Sequence, residues 1–208
     1  VFIIQSGYSN TDLNYNTNDY LMETLILIDA CKRSMAKTIN VIMPYYPYSR
    51  QDKKDESRSP ITAKLVANML TQSGINRLVV MDLHSSQIQG FFDIPVDNIY
   101  SINIVINYFK ENIFNFYNDE EKDNKFIVIS PDAGAVKRTL KFAKLMGLDT
   151  AILHKQRNYG KKNTVEKSIL VADKDDLNDK TAIICDDICD TGGTLIKSVD
   201  ILVENGIL

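Results

Sequence analysis

The chain has 208 residues, 44% of them hydrophobic and 25% charged, which is enough for one large domain or two small ones with a sizeable core. A formal net charge of -3 excludes a global basic field for nucleic acid or an anionic membrane, so any anion site must be built locally. No apolar run approaches the ~20 residues of a spanning helix. VFIIQSG lacks the basic region of a signal peptide. The cysteines Cys31, Cys185 and Cys189 have no zinc spacing. A cytoplasmic, reducing setting is expected, without nucleic acid or membrane as a partner.

Apolar runs of strand length alternate with helix-period segments along the chain. Residues 1–5 read as a buried strand from the first residue, followed by a helix over 18–36 with Leu21, Leu25, Ile28 and Met35 on its apolar positions. A strand at 39–43 leads into PYYPYSRQDKK. Ser59 and Pro60 offer an N-cap and an N1 proline for a helix across 63–70, which Gly74 ends. Strands are predicted at 78–82 and 126–130, separated in part by an Asn- and acid-rich surface loop at 115–125. A helix over 135–145 closes at Gly147, a strand follows at 151–154, and 155–164 is expected to be a mobile polar loop. A last strand at 182–185 precedes a helix over 194–203 that closes at Gly206. Near-continuous Val/Ile/Leu strands suit a parallel sheet covered on both faces. The expectation is an α/β fold of two similar doubly wound parallel-sheet domains, residues 1–100 and 101–208. The first reads as incomplete at its start and the second at its end.

Such sheets bind ligands beyond the carboxyl ends of their strands. The most informative of those segments is DDICDTGGT, from Asp186 to Thr194. Gly192 and Gly193 let backbone approach an anion, and the N–H groups of the next helix start, with the Thr191 and Thr194 hydroxyls, can cradle a phosphate. The carboxylates of Asp186, Asp187 and Asp190 would repel that phosphate unless they hold something else; carboxylate oxygens accept from ribose hydroxyls and coordinate magnesium. No Walker loop is present. The pattern suits a sugar phosphate better than a triphosphate tail.

The nonapeptide resembles the phosphoribosyl-diphosphate loop of type I phosphoribosyltransferases and ribose-phosphate pyrophosphokinases. PYYPYSRQDKK, DLHSSQIQGFFDIPVDN, SPDAGAVKR and HKQR occur in the order found in ribose-phosphate pyrophosphokinases, and the resemblance covers essentially the whole chain. It implies domains of the type I phosphoribosyltransferase kind. It also implies transfer of the β,γ-diphosphoryl group of ATP to the 1-hydroxyl of ribose 5-phosphate, giving AMP and the phosphoribosyl diphosphate used in nucleotide biosynthesis. By resemblance Arg50, Gln51 and His84 contact ATP, and His84 and Asp132 are magnesium ligands. Asp186, Asp187, Asp190, Thr191, Gly192, Gly193 and Thr194, with Arg157, hold ribose 5-phosphate, and Lys155 and Arg157 act on the transferring group. His154 is read as structural. The family also implies dimers, assembled into hexamers, and a neighbour's N-terminal segment completing the adenine site, so residues 1–208 alone are expected to be inactive. Ala135 stands where the family usually has a second glycine. Two alternatives remain: a phosphoribosyltransferase acting on a base, and a non-catalytic regulatory subunit of the same family.

Overall fold

The structure is a computed structural model that describes residues 1–9, 12, 14–156, 167–172 and 177–207. It divides into two compact units, Val1–Ser101 and Ile102–Leu208.

In the first unit β1 (Phe2–Ile4), β2 (Asn40–Met43), β3 (Arg77–Met81) and β4 (Val96–Ile99) form one parallel sheet in that order. Register places Ile3 beside Val41, Val41 beside Leu78 and Leu78 beside Val96. Ile3, Val41, Met43, Leu78 and Val80 therefore point to one face, where they pack with Leu21 and Ile28 of α1 (Thr17–Arg33) and Val66 and Leu70 of α2 (Thr62–Ser73). Helix α1 starts one residue before the predicted Asn18, because the Asn16 side chain accepts from the Asn18 and Asp19 N–H groups while the Asp19 side chain accepts from Asn16. Ser59 and Pro60 do not cap α2. Its N-cap is Ile61, without a side-chain bond. A preceding loop takes over that role, since Ala63 donates its N–H to the Gln51 carbonyl; the Tyr46 hydroxyl, donating to the Ala63 carbonyl, ties the same loop to the helix. Gly74 closes α2 in the left-handed conformation. Strand β4, with the sequence VDNI, was not anticipated, since its two central residues are polar.

The second unit has the strand order β7-β6-β5-β8, from β5 (Phe126–Ser130), β6 (Thr150–Gln156), β7 (Lys167–Ala172) and β8 (Thr181–Ile184). All five residues of β5 are buried. Phe126 and Val128 face Ile106 of α3 (Ile102–Asn112) and Phe142, Ala143 and Met146 of α5 (Val136–Met146). Ile127 and Ile129 face Leu202 of α6 (Gly193–Glu204) and Ile207. The central strand is thus covered on both faces, the reason its sequence shows no alternation. β7 is an antiparallel addition to an otherwise parallel sheet. The expected surface loop 115–125 is largely structured: a 3-10 turn at Phe114–Phe116 precedes a short α4 (Asp119–Lys125). A capping box between Asn118 and Glu121 and a Lys122–Asp119 pair overcome the loop-like composition. Lys155 and Gln156, expected in a loop, complete β6 opposite Ser168 and Lys167. The remainder of that expected loop, from Arg157 to Thr164, lies outside the described residues. No described helix is long and apolar enough to cross a membrane.

Candidate active site

The residues after β2 fold over the starts of α1 and α2. Arg50 and Gln51 line a cavity of about 460 Å³ together with Thr17, Tyr45, Tyr48 and Thr62. Thr17 and Thr62 are the first residues of α1 and α2, so the cavity receives two helix N-termini whose backbone dipoles favour an anion. The Tyr48 hydroxyl donates to the Asn18 side chain, fixing the loop to α1, and Tyr48 adopts φ 59. A left-handed backbone at a non-glycine residue is uncommon and concentrates where the surroundings enforce it. Sequence reasoning found Arg50 and Gln51 but not Thr17, Thr62 or the wall positions of Tyr45 and Tyr48, because the last contacts arise only when three segments meet.

His84 is exposed, just past β3, and opens the segment leading to the 3-10 turn Ser86–Phe91. The Lys64 ammonium donates to the Phe91 carbonyl at 2.7 Å, tying that turn to α2.

In the second unit the acid-rich loop runs from Cys185 to Gly192, between β8 and α6. Gly192 has φ 74, a conformation that strains any L side chain, and no side chain caps α6. The first N–H groups of α6 therefore carry no side-chain cap of their own. Asp190, Thr191 and Gly193 are exposed, whereas Asp186, Asp187, Gly192 and Thr194 are half-buried. Asp132 follows β5 and organises the start of α5: its Oδ1 accepts from Gly134 N–H at 2.9 Å and Ala135 N–H at 3.1 Å. Ala135 itself is right-handed helical at φ -82, so glycine is not required there.

Electrostatics draw Asp132, Asp186 and Asp187 into one cluster. Burial, with repulsion from Asp187 and Asp132, raises the Asp186 carboxyl above the ordinary range, against the opposing bond from Asp187 N–H at 2.9 Å. Burial also pushes the Cys185 thiol up to about 11, despite nearby Arg138, so Cys185 is no nucleophile at neutral pH. Among the described residues no three His, Cys, Asp or Glu form a metal cage. Magnesium typically takes one or two carboxylates and completes its shell with water and phosphate oxygens. Hard oxygen donors fit such a cation, and Asp132 is the residue of this cluster that would hold it.

This cluster predicts a pH signature. A carboxyl whose folded pKa is raised contributes stability that is fully present below its unfolded value, about 3.9, and is lost as pH rises through the folded pKa. Asp186→Asn, which mimics the neutral form at every pH, should melt with the unaltered protein near pH 3.5 and above it at pH 7. Coincident melting at both pH values would contradict the clustering.

The second unit is thus an α/β unit, parallel but for β7, with an acid- and glycine-rich loop between its last strand and last helix. Residues 95–207 match the family described as the phosphoribosyl transferase domain, and residues 1–74 match the N-terminal domain of ribose phosphate pyrophosphokinase. Over 206 residues the chain is 47% identical to ribose-phosphate pyrophosphokinase 2 of Schizosaccharomyces pombe and 47% identical to ribose-phosphate pyrophosphokinase 4 of Saccharomyces cerevisiae. Each alignment covers 99% of this chain, and respectively 59% and 58% of the relative. A crystal structure of phosphoribosylpyrophosphate synthetase from Mycobacterium smegmatis superposes with a TM-score of 0.83 at 40% identity, over 99% of this chain and 61% of that one. The chain belongs to the ribose-phosphate pyrophosphokinase family.

Proposed function

We propose that the full-length protein is a ribose-phosphate diphosphokinase that converts ATP and ribose 5-phosphate into AMP and 5-phosphoribosyl 1-diphosphate. The reading is carried by the DDICDTGGT loop, with its uncapped helix start beside a carboxylate cluster. The geometry suits a phosphate at one end and hydroxyls and a cation at the other. In the proposed reaction the ribose 1-hydroxyl oxygen attacks the β-phosphorus of ATP. The bond from that phosphorus to the α,β-bridging oxygen breaks, AMP leaves with the oxygen, and the hydroxyl proton passes to solvent.

Arg50 and Gln51 would hold ATP in the cavity over α1 and α2, where the guanidinium offers a planar fork for phosphate or a stacking surface for adenine. Thr191, Gly192, Gly193 and Thr194 would cradle the 5-phosphate, with Arg157 as a further ligand, and Asp186, Asp187 and Asp190 would take the ribose hydroxyls. His84 would hold the magnesium carried by ATP and Asp132 magnesium near the ribose hydroxyls; the metal when bound neutralises phosphate charge and lowers the pKa of the attacking hydroxyl. Lys155 and Arg157 would stabilise charge on the transferring group. A cytoplasmic setting, supported by three unpaired cysteines, and assembly into dimers and hexamers complete the reading.

The cradle is tested by Asp190→Ala and Thr191→Val in the full-length protein. Each should weaken ribose 5-phosphate roughly tenfold or more with ATP affinity unchanged, because the loop serves one substrate. Equal losses for both substrates would show that the loop is only structural. AMP and 5-phosphoribosyl 1-diphosphate should also form in equal amounts, whereas AMP release independent of ribose 5-phosphate would overturn the assignment.

A further inference from the structure

The segment that delivers His84 leaves β3 through an unusual backbone. Asp82, the first residue beyond the strand, has φ 46. Asparagine and aspartate tolerate this region better than most residues, yet it still has to be enforced by neighbours. Four bonds, from β4 and the residue before α3, enforce it here. Asp82 N–H donates to the Ile99 carbonyl at 2.9 Å. Asp82 Oδ2 accepts the Ser101 N–H at 3.2 Å and also the Ser101 hydroxyl. Leu83 N–H donates to Asn98 Oδ1 at 3.2 Å, while the Leu83 side chain is buried in the core.

Asn98 makes its bond at a cost. Its Nδ2 is buried and has no partner in the structure. Flipping the amide would set its NH2 group against the Leu83 N–H, so the orientation is determined and the orphan donor is its consequence. A buried donor left unmade is unfavourable and calls for a reason. The reason lies in what the bond holds: Leu83, the residue that immediately precedes His84.

We propose that Asp82, Asn98 and Ser101 form a clip that positions His84 toward the magnesium–nucleotide complex. This inference rests on the proposed function and adds three positioning residues to it, none of which touches substrate. Partners bonded directly to a metal-binding histidine typically change metal affinity or activity by about 10- to 100-fold when lost, and a clip that acts through the two residues before it should fall at the low end of that range. The clip sits on β3, β4 and the residue before α3, all in the first unit, and its loss is expected to be felt by the nucleotide rather than by ribose 5-phosphate.

The test uses the full-length protein carrying Ser101→Ala, Asn98→Ala or Ser101→Thr, with binding of magnesium α,β-methylene-ATP measured by calorimetry without ribose 5-phosphate. Ser101→Ala and Asn98→Ala should each weaken the analogue about tenfold. Ser101→Thr, which keeps both donors to Asp82, should bind as the unaltered protein does. KM for ribose 5-phosphate should be unchanged in all three, and thermal melting identifies any variant that fails to fold. Because Ser101→Ala is mild, it keeps the test open if Asn98→Ala unfolds. Unchanged analogue binding in the folded alanine variants, or equal weakening of both substrates, would overturn the clip. Absence of AMP formation by the unaltered protein would instead overturn the proposed function, so the two failures are distinguishable.

Discussion

Replacing Gly7 by alanine should lower stability by about 3 kcal/mol, a large share of the 5–15 kcal/mol that holds a typical domain together. Gly7 has φ +78, and a Cβ added there would collide with the Tyr45 carbonyl oxygen. Neither strain nor clash is easily relieved. Backbone rather than a flexible side chain is struck, and Tyr45 is tethered to the same segment through its N–H bond to the Ser6 carbonyl at 3.3 Å. Tyr45 also lines the cavity with Arg50 and Gln51, so whatever fold survives should bind nucleotide more weakly. Gly90 is the control: its added Cβ meets nothing within 4 Å and its φ is not positive, so Gly90→Ala should leave stability nearly unchanged. Denaturant melts of the two variants check both statements. A loss under about 1 kcal/mol for Gly7→Ala would mean that residues 6–7 do not ride on the loop after β2.

The largest kinetic effect is expected from Lys155→Ala, with kcat falling about 100- to 1000-fold and either KM changing little. The backbone of Lys155 lies in β6, paired opposite Ser168, so its start point is set by the sheet rather than by a loop. Transfer of a diphosphoryl group requires little covalent chemistry from the protein. Positioning and cationic stabilisation carry the rate, and a cation that acts mainly as charge develops affects kcat more than substrate binding. Steady-state kinetics with both substrates varied would check this. A near-normal kcat, or a loss confined to KM for ATP, would reduce Lys155 to an ordinary binding residue.

How much of this was legible in the sequence differs from element to element. β5 could be read because a strand buried on both faces is apolar throughout, and Gly74 and Gly147 marked helix ends because each adopts the left-handed cap that glycine favours. β4 was hidden because Asp97 and Asn98 carry out polar tasks inside a strand: Asp97 pairs with Arg77, and Asn98 holds Leu83. The α2 start was misplaced because its capping comes from the Gln51 carbonyl, which lies in a different segment, and local chemistry at Ser59-Pro60 could not reveal that. In the candidate site, the loop between β8 and α6 stood out in the sequence because its glycines and acids are contiguous. The cavity around Arg50 did not, since Thr17, Tyr45 and Thr62 are brought together only by tertiary packing.

The account turns on which phosphorus of ATP is attacked, and one labelling measurement decides it. The full-length protein is supplied with ribose 5-phosphate, magnesium and ATP labelled at the β-phosphorus, and the products are separated. The predicted result is label in 5-phosphoribosyl 1-diphosphate, with AMP unlabelled and both products dependent on ribose 5-phosphate. Label in ADP, or in free diphosphate formed without ribose 5-phosphate, would contradict diphosphoryl transfer and with it the roles assigned to the loops of both units.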